Sequence, residues 1–186
     1  VQGATAFGLT LELLKRSFRQ LEPYNAYKLS GRLMMRKPGA FGGMNGVDSR
    51  IEECSDTTIL ICDRAEEMYV DELKNCKVLV GPCGSSTFFR NCSGCDFWVC
   101  ARQLRVRECT DCRFYVYSFT EPVIEMSSDL SFAPFSAEYP GLSEQFREAK
   151  FDASKNRWNA VYDFSGKAGA SNWRIQPLDE CETIVV

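Results

Sequence analysis

One short template recurs along this chain at a period too short for a helical repeat. Cys54-Ser-Asp-Thr57 precedes Thr58-Ile-Leu-Ile61, and Leu73-Lys-Asn-Cys76 precedes Lys77-Val-Leu-Val80. Cys92-Ser-Gly-Cys95 then precedes Asp96-Phe-Trp-Val99, Cys109-Thr-Asp-Cys112 precedes Arg113-Phe-Tyr-Val116, and Ser127-Ser-Asp-Leu130 precedes Ser131-Phe132. Successive copies start 19, 19, 17 and 18 residues apart. A unit of that length has room for short β-rich runs and turns but not for a long helix, so each copy predicts one coil of an all-β solenoid. Equivalent positions of successive coils then lie about 4.8 Å apart, and inward positions form ladders of like side chains.

The template cysteines occupy two of these ladders. Leu73, Thr57, Ser127 and Leu130 fill the same slots in other copies, and none of them can stand in for a thiolate. Stacked thiols in an apolar core are therefore favoured. A zinc site remains the alternative, because Cys92-x-x-Cys95 followed by Cys109-x-x-Cys112 suits a tetrahedral thiolate set, and a disulfide framework is the third reading. Free core thiols point to a reducing compartment, hence the cytoplasm. The chain of 186 residues contains no histidine, which removes imidazole-based triads and the usual catalytic zinc sites. A net charge of −3 offers no field for a phosphate backbone, so no nucleic-acid partner is expected. No window approaches the roughly eighteen consecutive apolar residues of a membrane span. The chain opens on Val1, and membrane contact is expected only through a lipid anchor upstream of it.

Outside the coils, Leu11, Leu14, Phe18 and Leu21 recur at helical spacing and predict an amphipathic helix over Phe7 to Leu21 that caps or precedes the solenoid. Residues 1–22 are thus an N-terminal extension, residues 23–180 the solenoid domain with its C-terminal segment, and residues 181–186 a tail. Pro38 to Gly46 is a glycine-rich loop, after which Ile51 opens the first clear coil. Pro140 precedes Leu142, Phe146 and Ala149 on one helical face, predicting a helix to about Lys150. Arg157 to Phe164 and Asn172 to Ile175 are expected as strands that cover an open face or end of the solenoid.

Strand alternation sends Leu104 and Val106 inward and Gln103, Arg105 and Arg107 outward. The repeat offsets carry Asp71, Arg90, Arg107 and Glu125 into one outward ladder, where charges can pair between coils. They carry Tyr69, Phe88, Arg105 and Val123 into the adjacent one, leaving Arg105 between apolar neighbours without an evident carboxylate. Exposed aromatics around an unpaired arginine have the composition of a binding hot spot. The same patch is also compatible with burial under the C-terminal segment.

Phe88-Phe-Arg-Asn-Cys92, Gln103-Leu-Arg-Val-Arg-Glu-Cys109, Pro122-Val-Ile-Glu125 and Tyr139-Pro-Gly-Leu142 resemble the tubulin-binding cofactor C domain family. The resemblance runs from about Pro23 to about Pro177 and includes Trp158, Asp163-Phe164 and Asn172-Trp173. It implies a right-handed parallel β-helix and a GTPase-activating protein that supplies an arginine finger to an ADP-ribosylation-factor-like small GTPase or to tubulin. Arg105 matches that finger. Gln103 and Arg107 would flank it, Glu125 and Phe164 would grip the partner, and Phe88 and Arg90 would line the same surface. The chain has no G-x-x-x-x-G-K-[ST] loop, so no cofactor of its own is expected, and GTP and magnesium would arrive with the partner. A family member of this kind is expected in the cytoplasm and at the ciliary base or cytoskeleton.

One departure bears on activity. The family pattern has two glutamines before the hydrophobic residue and arginine, whereas here the first is Arg102. A binding protein without activation, an effector or scaffold, is the leading alternative. An actin-binding β-helix of the cyclase-associated-protein kind would explain the coils but not Gln103-Leu-Arg105. A polysaccharide lyase would need clustered acids and bases, which the alternating charge ladder does not provide.

Overall fold

The repeat is set by a corner that only certain residues tolerate. A computed structural model describes residues 25–40, 47–166 and 171–186, and in it each template carries two residues of positive φ, three apart. These are Glu53 and Asp56, Glu72 and Asn75, Asn91 and Gly94, Glu108 and Asp111, and Met126 and Asp129, with φ between 50° and 63°. The second of each pair is Asp, Asn or Gly, the residues that enter left-handed backbone at least cost.

Six thiols each directly follow one of these left-handed residues and do a specific job. Cys54, Cys76, Cys92, Cys95, Cys109 and Cys112 each donate Sγ–H to the carbonyl two residues back, at 3.1–3.4 Å. Thr57 and Ser127 make the same contact with Oγ, at 2.7 and 2.9 Å. The slot therefore selects a small side chain with one donor, which is why Cys, Ser and Thr interchange there. Leu73 and Leu130 fill it by volume alone. Among the described residues no group of three or more Cys, Asp or Glu is placed to hold a metal, and all ten cysteines are free thiols.

Strands run from one corner to the next and pair in parallel. On one face, the front, β1 (Ala26–Tyr27), β3 (Ser49–Glu52) and β5 (Met68–Asp71) lead into the C-terminal halves of β6 (Lys77–Arg90) and β7 (Asp96–Arg107), then β9 (Val123–Glu125) and β12 (Tyr162–Asp163). On the back, β2 (Leu33–Arg36) and β4 (Thr58–Ile61) lead into the N-terminal halves of β6 and β7, then β8 (Arg113–Ser118), β10 (Leu130–Pro134) and β13 (Trp173–Ile175). This is the parallel β-helix expected from the repeat. The step from 19 to 17 residues also has a cause: β6 is irregular between Val80 and Cys83 and again between Cys83 and Ser86, so it carries more residues round the turn than β7.

The solenoid starts one coil earlier than Ile51. Lys28 and Gly31 are a further positive-φ pair, Leu29-Ser30-Gly31-Arg32 occupies the template slots before β2, and Ser30 bridges to Ser55. The copy lacks cysteine and lies 25 residues from the next, because the glycine-rich stretch lengthens its coil. The helix expected over Phe7 to Leu21 lies outside the described residues.

The interior is continuous. Phe89, Phe97, Phe114 and Phe132 are fully buried; Phe97 and Phe132 stack on opposite sides of Phe114, at 5.0 and 5.3 Å. A second apolar cluster lies outside the back face, where Leu60, Leu79, Trp98 and Tyr115 form an outward ladder. The C-terminal segment covers it with Cys181, Ile184 and Val186, and the strand pair β11 (Ala137–Glu138) and β14 (Ile184–Val185) holds that cover in place. Trp98 Nε1 donates to Glu182 O (3.3 Å), and Glu182 Oε2 pairs with Lys77 (2.8 Å).

The expected C-terminal helix forms as α1 (Leu142–Glu148), after Gly141 at φ 90°. Its buried Gln145 accepts from Tyr139 Oη (2.7 Å) and donates to Cys62 O (3.0 Å), which fixes the helix to the solenoid. The strand expected over Arg157 to Phe164 shrinks to β12. The stretch before it is irregular because Asn156 uses its side-chain amide on β8, donating to Val116 O and accepting from Ser118 N. No helix among the described residues is long and apolar enough to cross a membrane.

This packing sets a prediction for thiol chemistry. Nine cysteines are buried and only Cys181 is partly exposed, so a native sample should titrate one thiol per chain with an aromatic disulfide reagent and all ten after denaturation. Desolvation, with Asp179 and Glu180 nearby, raises the Cys181 pKa above its usual 9.0. Its reaction should therefore be slow near neutrality and still accelerate as pH rises past 9. A count near ten in native buffer would contradict the buried ladders.

Candidate functional site

Front-face strands share one register, so the vertical neighbours of each side chain follow directly from the pairing. Ile51, Val70, Phe89, Val106 and Ile124 point inward and are buried. One step before them the outward ladder reads Arg50, Tyr69, Phe88, Arg105, Val123 and Tyr162. One step after them it reads Glu52, Asp71, Arg90, Arg107 and Glu125. Both ladders agree with the sequence offsets.

Arg105 is exposed, between half-buried Phe88 and Val123. Among the described residues it has no ion pair or side-chain hydrogen bond. The rings on its N-terminal side are ordered: Phe88 stacks on Tyr69 at 5.1 Å and 8°, and the Arg50 guanidinium lies 4.5 Å from the Tyr69 centroid. The Tyr69 hydroxyl donates to Glu67 (2.6 Å), and that bond raises its pKa. Gln103, two residues before Arg105, is half-buried and accepts from Ser86 Oγ at 3.3 Å.

The charged ladder pairs differently from the expectation. Arg90 does reach across coils to Asp71, at 2.7 Å. Arg107 instead pairs with Glu108 of its own coil, at 3.7 Å, and not with Glu125. Glu108 stands at a left-handed corner next to Arg107, so the contact within the coil replaces the one between coils. Glu125 is half-buried and has no ion pair among the described residues.

Phe164 comes to this surface through β12. Tyr162 pairs with Val123 and Asp163 with Ile124; Phe164 N then donates to Ile124 O (2.8 Å), which carries the register on to Glu125. Asp163 accepts from Ser165 N and Asn172 Nδ2, and Met126 N donates to Ser165 Oγ (2.8 Å), so the turn that presents Phe164 is firmly held. Phe164 is 69% exposed and Tyr162 53% exposed, with ring centroids 5.9 Å apart. The patch is therefore open, and the C-terminal segment extends it instead of covering it.

Two members of the patch escaped the sequence reading. Arg50 lies one coil before the ladder was begun, and its signal was the pairing of Arg50 with Tyr69 at the same 19-residue offset. Tyr162 joins only because β12 adds to β9, which no repeat encodes.

The chain resembles known proteins over the same residues. A family profile described as tubulin binding cofactor C matches residues 46–164. Tubulin-specific chaperone C of Mus musculus is 32% identical over 136 residues, covering 72% of this chain and 40% of that protein. Protein XRP2 of Homo sapiens is 34% identical over 144 residues, covering 77% of this chain and 40% of the relative. The chain thus spans about 40% of the length of these curated relatives. Tubulin binding cofactor C from Leishmania major aligns with a TM-score of 0.56 at 21% identity, over 84% of this chain and 90% of the solved one; that likeness supports the fold. With its coils, its Gln103-Leu-Arg105 strand and the match across residues 46–164, the chain belongs to the tubulin binding cofactor C family.

Proposed function

We propose that this chain activates GTP hydrolysis by a bound ADP-ribosylation-factor-like small GTPase or by tubulin, with Arg105 as the arginine finger. The observation that carries the reading is Arg105 itself: an exposed guanidinium on a regular strand, without a carboxylate partner among the described residues, in an open apolar ladder. A bound GTPase already holds nucleotide and Mg²⁺ and mainly lacks a cation against the charge that develops as the γ-phosphoryl group transfers. A planar guanidinium with several donors suits that role. Its position on β7, between paired strands on both sides, limits the reorganisation needed on docking.

The remaining residues divide by distance from the finger. Gln103, on the same strand and held by Ser86, would orient groups beside the phosphate. Phe88, Arg107 and Arg90 form the floor around it, and Glu125 with Phe164 makes an acidic and aromatic grip at the far edge.

The test is a titration of the GTP-loaded partner combined with single-turnover hydrolysis, run across factor-like GTPases and tubulin. Activation should appear with at least one of them. Phe164→Ala should weaken association by roughly 30-fold, about 2 kcal/mol for an interface aromatic, while the hydrolysis rate at saturating chain stays unchanged. Binding without acceleration by any partner would overturn activation and make the chain an effector or scaffold. The departure that raises this second reading is Arg102 in place of the first of the paired glutamines.

A further inference from the structure

Arg102 lies three residues before Arg105, and the structure gives its head group four contacts. Nε donates to Gly84 O at 3.1 Å and Nη2 to Ala149 O at 3.4 Å. The guanidinium lies 5.2 Å from the Phe119 centroid and 6.0 Å from that of Phe151. Gly84 belongs to the stretch of β6 where the ladder to β7 is irregular, and Ala149 is the C-terminal cap of α1, where carbonyls lack helical partners and a cation is favoured. The Arg102 carbonyl is held as well, accepting from Thr120 N (3.1 Å) and Thr120 Oγ1 (3.2 Å).

The site needs such a fastening. β7 passes from the back face to the front between Val99 and Gln103, and its pairing to β6 slips on either side of Ala101 before it resumes at Gln103. A strand with an interrupted ladder on one side is the point at which Gln103 and Arg105 could lose their aim. Arg102 bridges that gap to the solenoid and to α1, which Gln145 locks to Cys62 O.

We infer that Arg102 is a positioning residue that ties the corner of β7 to α1 and β6 and so aims Arg105. It is not a second cation for the phosphates. The inference rests on the proposed activator reading for its functional half, while its structural half stands alone.

The test uses the full chain with Arg102→Ala, Arg102→Lys and Arg102→Gln, and Arg105→Ala as control. Amide hydrogen exchange reports the fastening without a partner: Arg102→Ala should speed exchange about tenfold at residues 101–105 and 147–150, with the front coils around Phe89 unchanged. Arg105→Ala should leave those amides as they were. With a GTPase that wild type activates, Arg102→Ala should lower the saturating rate by roughly 10- to 100-fold, as expected of a displaced group. The half-saturating concentration should stay within about 2-fold, and Arg102→Lys should recover part of the rate through one of the two carbonyls. Unchanged exchange in Arg102→Ala overturns the fastening. A saturating rate equal to wild type in Arg102→Ala, or above it in Arg102→Gln, overturns the aiming. If wild type activates nothing, the activator reading fails by itself and the exchange data still decide whether Arg102 ties the strand.

Discussion

Arg105→Ala is expected to lower the single-turnover rate of GTP hydrolysis by the bound partner by about 10³ to 10⁵, the usual effect of removing an arginine finger. Binding should change little, because the surrounding contact surface, including Phe88, Val123 and exposed Phe164, is untouched. Stability should change by less than about 0.5 kcal/mol, since the native side chain makes no ion pair or side-chain hydrogen bond among the described residues. Arg105→Lys should recover only part of the rate: it keeps the charge but loses the planar set of donors. Equal rates for wild type and Arg105→Ala, each measured at saturation, would remove Arg105 from the mechanism. Loss of binding in step with rate would instead make it an anchor.

The second large effect concerns the fold. Phe114→Ala should cost about 3–5 kcal/mol, the range for a truncated core aromatic. Phe114 is fully buried, stacked between Phe97 and Phe132 and edge-on to Phe89 at 5.3 Å, so no neighbour can move in without leaving its own coil. For a chain of this length that is a fall in Tm of roughly 6–20 °C. Because each coil contacts mainly its neighbours, a void in the middle of the stack should also broaden the denaturant transition as the two ends begin to unfold separately. Phe88→Ala is the control: its ring lies on the outer surface against Tyr69, and its loss should cost less than about 1.5 kcal/mol. A similar cost for the two variants would mean that the inner ladder is not the stability core.

The pattern of agreement follows from what each feature depends on. The coil period was legible because every corner carries two left-handed residues, each followed by an inward slot that takes a small donor or a leucine, and those demands recur in sequence as Asp, Asn or Gly beside Cys, Ser, Thr or Leu. The first coil was missed because Leu29 fills its slot by volume and the glycine-rich stretch stretches the spacing to 25 residues. Placement of Arg105 between Phe88 and Val123 was equally legible: parallel register repeats coil by coil, so a correct offset carries every outward residue with it.

Choices between near-equal partners were not legible. Arg107 has Glu108 beside it and Glu125 one coil on, and only the left-handed turn at Glu108 decides for the former. Arg102 reads in sequence as a substituted glutamine, yet its guanidinium is taken by Gly84 O and by the end of a helix 47 residues away.

From its sequence alone, this chain is determined to be a parallel solenoid with Arg105 in an outward apolar ladder, because backbone turn preferences and two-residue alternation are local and repeat. The tertiary structure alone decided how the C-terminal segment seals the back cluster with Cys181 and Ile184 while bringing Tyr162 and Phe164 to the front patch. Those contacts join parts of the chain with no shared period. They exist because the outward Trp98–Tyr115 ladder and the last open coil each leave apolar surface or strand edge that only a distant segment can cover.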